Sequence, residues 1–322
     1  MHHTSRRLVA LPGAAAATVA AAQPAVAHGP VPDAPALPGV LAAWSFDPLA
    51  VGLLCAAAAA YAWAVLRVNR AHPTSRVPLR RHAWFAVALA SLALALLSPI
   101  ERYAASLFSV HMLQHTVLEF VAAPALLLAA PVTLALRCAS ASVRRRLLQV
   151  LNSRAVHVAS FPLIGWGVFA AVNWFWHFST LYDQALDSPP LHYLEHATFV
   201  GAALLFWTPV VSLDPTRWRL AHPVRLLYLF LAMPQNSFLG LAIYTAGGVL
   251  FPHYASVERT WGGAPLEDQQ LAGVLMWVGG DVAFLVAMVA VVAAWMRYEE
   301  RRTARMDARL DRLSDVSVDA PR

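Results

Sequence analysis

Residues 80–100 read RRHAWFAVALASLALALLSPI. A pair of arginines is followed by an uncharged run from Ala83 to Ile100. Crossing the hydrocarbon core of a bilayer takes about 20 consecutive apolar residues, so this run reads as a membrane helix rather than a core helix of a soluble domain. The whole chain has the same character. Of its 322 residues 59% are hydrophobic and 13% are charged, against about 25% charged in a typical soluble domain. So few charges cannot clothe a soluble protein of this size, and so many apolar residues exclude a disordered chain. With Cys55 and Cys138 as its only cysteines, the chain cannot be a disulfide scaffold.

Further apolar stretches lie near 48–66, 106–136, 155–176, 191–211, 224–250 and 270–296. Backbone polar groups in lipid must be satisfied within the segment, so each is expected to be a helix. The expectation is an all-α membrane protein, a bundle of seven transmembrane helices. Kinks are expected at Pro124, Pro131, Pro162 and Pro234. The net charge of +6 suggests a nucleic-acid surface until the basic residues are placed. All 24 are arginine, and 20 of them fall in the alternate loops and the C-terminal tail, against Arg102 and Arg259 on the other side. That alternation sets membrane topology: the N-terminus outside, the C-terminus cytoplasmic, and no nucleic-acid partner.

Residues 1–27 carry Arg6 and Arg7, a short alanine-rich run and an Ala25-Val26-Ala27 cleavage signature, and are expected to be a signal peptide. Residues 28–47 form a proline-rich extracytoplasmic linker, 48–297 the seven-helix domain, and 298–322 a charged cytoplasmic tail. Cleavage after Ala27 would expose His28, whose amine and imidazole together can chelate copper; the competing reading is an incidental linker histidine.

On this topology the histidines separate. His72, His82, His157 and His222 sit among the cytoplasmic arginines as solvated loop groups. The others collect at the outer face. Span three begins SLFSVHMLQHTVLEF, in which His111 and His115 are four residues apart and share one helix face, with Met112 beside them and Glu119 one turn deeper. Span five begins LHYLEHATF, with His192, Glu195 and His196 in the same spacing. Span four ends outside at His177, and His253 follows span six. Each H-x-x-x-H pair can offer two imidazoles to one metal ion, with neighbouring helices completing the ligand set. A buried histidine can equally hydrogen-bond a neighbouring helix. Two pairs at matching depth, each with a carboxylate, favour a metal or haem site, because ionisable groups within spans default to function. Imidazole with a thioether suits copper, and the thioether favours the cuprous state. Binding is expected to weaken at low pH, since a ligating imidazole must be neutral.

Span seven, EDQQLAGVLMWVGGDVAFL, places Glu267 and Asp268 at the outer mouth and Asp281 near mid-membrane, with no arginine at its depth. Gly273, Gly279 and Gly280 suggest close helix contact. Met233, Met276 and Met288 read as packing, as does Cys55. No repeat with a period of about 20–50 residues, nucleotide-binding glycine motif or nucleophile elbow is visible.

The segments HMLQHTVLEFVAAPALLLAAP, WHFSTLYDQALDSPPLHYLEHATFVGAALLFW and EDQQLAGVLMW resemble the CtaG-type cytochrome c oxidase assembly factors, of the polytopic membrane kind, over roughly residues 45–297. The resemblance implies a multi-pass plasma-membrane protein, not itself an enzyme, required to make active haem–copper oxidase and linked to copper. Its partners would be oxidase subunits or copper chaperones. The matching histidines are His111, His115, His177, His192 and His196. With Met112, Glu119 and Glu195 they form the expected metal site, the carboxylates orienting imidazoles. Two other functions stay open: a copper transporter, for which Asp281 and Glu119 make a thin path, and a haem-bearing redox protein.

Overall fold

The computed structural model describes residues 32–211 and 213–318. The expected signal peptide and His28 lie outside the described residues. Among those residues the secondary structure is helical, with no strand. The long helices, in chain order, are α1 (Pro48–Ala71), α2 (Leu79–Ala104), α3 (Phe108–Cys138), α4 (Pro162–Phe178), α5 (Pro189–Val211), α6 (His222–Tyr244) and α7 (Pro265–Arg309). Among the described residues six of these helices, all but α4, are long and apolar enough to cross a membrane, which marks a multi-pass membrane protein on length and composition. The span expected at 155–176 is shorter than its hydropathy suggests. Arg154–Ala159 forms a separate short helix, and α4 keeps 17 residues, about 26 Å of rise.

Proline acts differently from the expected kinks. Pro162 stands at the start of α4, where its missing N–H costs nothing. Pro124 opens the helical segment that follows a π turn in α3. Pro131 restarts α3 after Ala130, whose backbone is left-handed with φ of 55°. That restart leaves backbone donors bare, and Asp214 from the α5–α6 connection accepts from Val132 N at 3.1 Å and Thr133 N at 2.6 Å. Pro124 and Pro131 thus sit at irregularities within α3, whereas Pro234 lies in the continuous run of α6, as Pro209 does in α5.

Packing is uneven around the bundle. α4 lies along α5, α6 along α7, and the middle of α3 against α2 and α5. One apolar cluster joins Phe169, Phe206, Trp207, Tyr228, Leu229 and Phe284. A second joins Phe108, Met112, Tyr182, Ile243, Phe251 and Tyr254. Outward faces carry large exposed side chains such as Leu163, Phe238 and Val289, as a lipid-facing surface requires. Cys55 is on that surface rather than packed inside, a correction to its expected role.

The α6–α7 crossing depends on glycine. A Cβ on Gly273 would stand 2.7 Å from Gly240 O and 2.8 Å from Tyr244 N. Gly280 is equally crowded by Asn236, whereas a Cβ on Gly279 would meet only Thr116 Cγ2 at 3.9 Å. Gly273→Ala is therefore expected to cost about 1–3 kcal/mol through forced separation of the helices. Gly279→Ala should be neutral or stabilising by about 0.5–1 kcal/mol. Thermal unfolding in detergent reads both, and effects of the same sign would show that the crossing is not tight.

Candidate metal centre

The start of α3 is held by a carboxylate from another helix. Asp268, in the first turn of α7, accepts from Phe108 N at 2.7 Å and from Ser109 Oγ at 2.5 Å. The negative charge expected at the outer mouth thus serves the N-terminus of α3, where bare donors and the helix dipole favour it. Glu267 instead accepts from Ala264 N at 3.0 Å and caps its own helix. This docking sets the depth of His111 and His115. α5 begins at Pro189 after the short helix Leu181–Asp187, which brings His192, Glu195 and His196 to the same level.

The two pairs meet. Ring centroids are 4.5 Å apart for His111 and His115, 4.1 Å for His192 and His196, 5.6 Å for His111 and His192, and 5.4 Å for His115 and His196. One ligand atom from each of His111, His192 and His196 lies within 4.8 Å of the other two, and the same holds for His111, His115 and Glu195. All five residues are buried. Glu195 Oε1 is 3.6 Å from His115 Nε2, and its Oε2 is 4.0 Å from His111 Nε2. Neither carboxylate oxygen receives a hydrogen bond among the described residues, and neither ring nitrogen of His115 makes one. A buried polar group left in that state costs about 1–3 kcal/mol.

Hydrogen bonds assign two of the imidazole tautomers. Tyr254 Oη donates its single hydrogen to Ala104 O at 3.0 Å, so at 2.9 Å from His111 Nδ1 it acts as acceptor. His111 then carries its proton on Nδ1, and its Nε2 lone pair faces the cluster. Tyr182 Oη shares the same nitrogen at 3.0 Å. Burial pushes the Tyr182 and Tyr254 phenols well above the ordinary tyrosine range, so both stay neutral. His177 donates from Nδ1 to Asn173 O at 2.7 Å, which leaves its Nε2 lone pair 3.1 Å from Met112 Sδ. Two lone-pair-bearing atoms thus face each other, an arrangement that a soft cation reconciles.

Among the described residues the hydrogen bond of the Glu119 carboxylate goes to an amide rather than to an imidazole. Glu119 lies in a π turn, Leu118–Ala122, and accepts from Asn173 Nδ2 at 3.0 Å. The widened turn frees the Glu119 carbonyl, which accepts from Trp207 Nε1 at 2.9 Å. A second π turn, Leu275–Gly279 in α7, is served in the same way by Asn236, which donates to Met276 O at 3.0 Å. Met112, His115, Glu119, Asn173, His177, Asn236 and Met276 line a cavity of about 10 Å³ between these turns, roughly the space of one water or one small ion. Met276 is therefore at the polar cavity rather than purely in packing, whereas Met233 and Met288 do pack in the apolar core. Asp281 stays apart and accepts from Ser237 Oγ at 2.8 Å.

His253 is not drawn into the cluster. Its Nε2 donates to Ala105 O at 3.0 Å, and its Nδ1 lies 3.5 Å from Asp187. On the lipid-facing side, a largely apolar cleft of about 350 Å³ between α1, α2 and α5 reaches His192 and His196, with Asp47 and Glu101 among its lining residues. Sequence reasoning missed Tyr182, Tyr254, Asn173 and Glu101. The tyrosines lie in connecting segments, and WFW before His177 distracts from Asn173. The signal that could have found Asn173 is its spacing of four residues from His177.

The fold and its buried histidine cluster define a polytopic membrane protein with a built polar site within its helix bundle. The chain belongs to the cytochrome c oxidase caa3 assembly factor family (Caa3_CtaG), which it matches over residues 59–298. Two uncharacterized proteins, Mb0105 of Mycobacterium bovis and MT0111 of Mycobacterium tuberculosis, are each 30% identical to it over 300 residues, 90% of this chain and 44% of theirs. The uncharacterized ML1998 of Mycobacterium leprae is 28% identical over 289 residues, 87% of this chain and 44% of its own. The chain thus spans less than half the length of these relatives. No solved structure matches it.

If His115 serves a ligand rather than the fold, His115→Leu should leave the chelator-treated protein as stable as wild type, or more stable by about 1–3 kcal/mol, because an unsatisfied buried imidazole is removed. A thermal melt in detergent with a chelator present tests this. A marked loss of stability would make the imidazole a structural group.

Proposed function

We propose that this chain is a non-enzymatic assembly factor that holds copper at the outer face of the plasma membrane and surrenders it to a haem–copper oxidase subunit or a copper chaperone. In this reading α4 is the seventh span, the N-terminus is outside and the arginine-rich end is cytoplasmic, as the positive-inside rule requires. The observation that carries the proposal is the convergence of His111, His115, His192, His196 and Glu195, in which the Glu195 oxygens and the His115 ring nitrogens have no hydrogen bond among the described residues. These residues fit copper. Hard cations prefer cages of oxygen ligands, whereas this site offers imidazoles, a single carboxylate and a nearby thioether.

Each group has a role in handling the cargo. His111, His192 and His196 receive the ion, the first through the Nε2 that its tyrosine contact leaves unprotonated. Glu195 balances the positive charge in a medium where an uncompensated ion is costly. His115 lies between this set and the Met112–His177 pair, whose thioether favours the cuprous state. The cleft beside His192 and His196 gives a route to and from the site without opening the bundle.

Metal analysis of the detergent-purified protein, with oxidase activity in the producing cells, tests the proposal. Copper retention and oxidase activity are both expected to fall when His192 and His196, or His111 and His115, are replaced by alanine. Survival of both would refute it, and a Soret band in purified protein would move the site to haem. Separately, Glu195→Gln is expected to weaken cuprous affinity by roughly 10–100-fold, as read by competition with a chromogenic cuprous chelator. Unchanged affinity would remove the carboxylate from the site.

A further inference from the structure

The opposite end of the molecule carries a different polar feature. A groove of about 960 Å³ is lined by Arg80 at the start of α2, Arg219 from the α5–α6 connection, and Arg297, Arg301, Arg302, Arg305 and Arg309 along the extension of α7. Among the described residues no carboxylate lines it. Glu299 reaches Arg302 at 3.5 Å and offsets part of one charge. Arg297, Arg301, Arg305 and Arg309 follow one another at four-residue steps, so they form a single row. Like charges at that spacing destabilise a helix, yet the helix runs unbroken from Gly280 to Val318. The row rises about 18 Å along the helix, too long for a single phosphate.

Part of the lining is apolar: Leu213, Ala294 and Met306. His222, at the start of α6, lies parallel to the Trp295 ring at 6.3 Å and is 5.5 Å from Tyr298. Aromatic groups at this level are characteristic of the zone where lipid headgroups meet the hydrocarbon. We propose that this groove is a binding site for an anionic phospholipid headgroup, and that its length suits a lipid bearing two phosphodiesters. The guanidinium row engages the phosphates, which it can do in forked pairs of hydrogen bonds. The apolar lining takes the glycerol and first acyl carbons. A free phosphate would use the arginines but not Leu213 and Met306. This site lies apart from the histidine cluster and does not depend on the copper reading.

Native mass spectrometry of the full chain in detergent, titrated with cardiolipin, phosphatidylcholine or inorganic phosphate, tests the proposal. Cardiolipin is expected to bind well above phosphatidylcholine and to resist an excess of phosphate. Arg301→Gln/Arg305→Gln/Arg309→Gln is expected to weaken cardiolipin binding about a hundredfold. The matched control Arg144→Gln/Arg145→Gln/Arg146→Gln, on exposed residues of another helix, should retain it. Equal loss in the control would make the effect bulk charge, and displacement by phosphate would make the ligand a free anion. Either result, or equal binding of the two lipids by wild type, overturns the proposal, and the last comparison needs no variant to fold.

Discussion

In the hydrocarbon of a bilayer there is no water to satisfy a polar side chain, so every polar group in the bundle must find a partner within the protein or hold something that is not protein. Most of this chain obeys the first rule. Asp268 and Asp214 cap the two helical starts within α3 from other elements. Trp207 and Asn236 satisfy the carbonyls that the π turns release. Among the described residues Trp166 Nε1 and Asp281 Oδ1 are isolated exceptions, whereas His115 and Glu195 together leave four such atoms side by side. Their concentration, rather than the mere presence of histidine in a membrane helix, singles out the site.

The site sits where two apolar clusters leave a gap. The cluster around Phe206 and Phe284 closes it from one end, and the one around Phe108 and Tyr254 from the other. α3 passes through the whole arrangement, held at its first turn by α7 and at its last segment by the α5–α6 connection. The functional side chains therefore stand on a helix that other elements anchor at both ends, which is how a polar cluster keeps its geometry in a medium that offers it no solvent.

Much of this was legible in the chain itself. Charge-free runs identify the long helices, and H-x-x-x-H spacing places two imidazoles on one face without any tertiary information. What escaped depends on contacts between segments distant in sequence. Tyr182 and Tyr254 look like ordinary loop aromatics until the fold brings both to His111 Nδ1. Glu119 follows His115 by four residues and reads as its partner, but the π turn carries it to Asn173. Pro162 and Pro131 suggest kinks because hydropathy cannot distinguish a helix that bends from one that stops and restarts. The short α4 is hidden for the same reason: residues 155–159 belong to a separate short helix, and Ser160 and Phe161 lie between the two.

The π turns also bear on how such chains change over time. A π turn holds one residue more than the α-helical turn it replaces, so it shifts the phase of everything beyond it by about 100°. In α3, losing a single residue between Leu118 and Ala122 would keep the span apolar and still long enough for the membrane. It would close the turn to an α-helical one and leave the segment ending at Ala129 in its present phase relative to the histidines, with the faces that meet α2 and α5 still turned to their partners. A single-codon deletion here is therefore one the bundle can absorb, at the cost of the carbonyl that Trp207 now binds, whereas one in the α-helical stretch Ala123–Ala129 would turn the residues beyond it by about 100°.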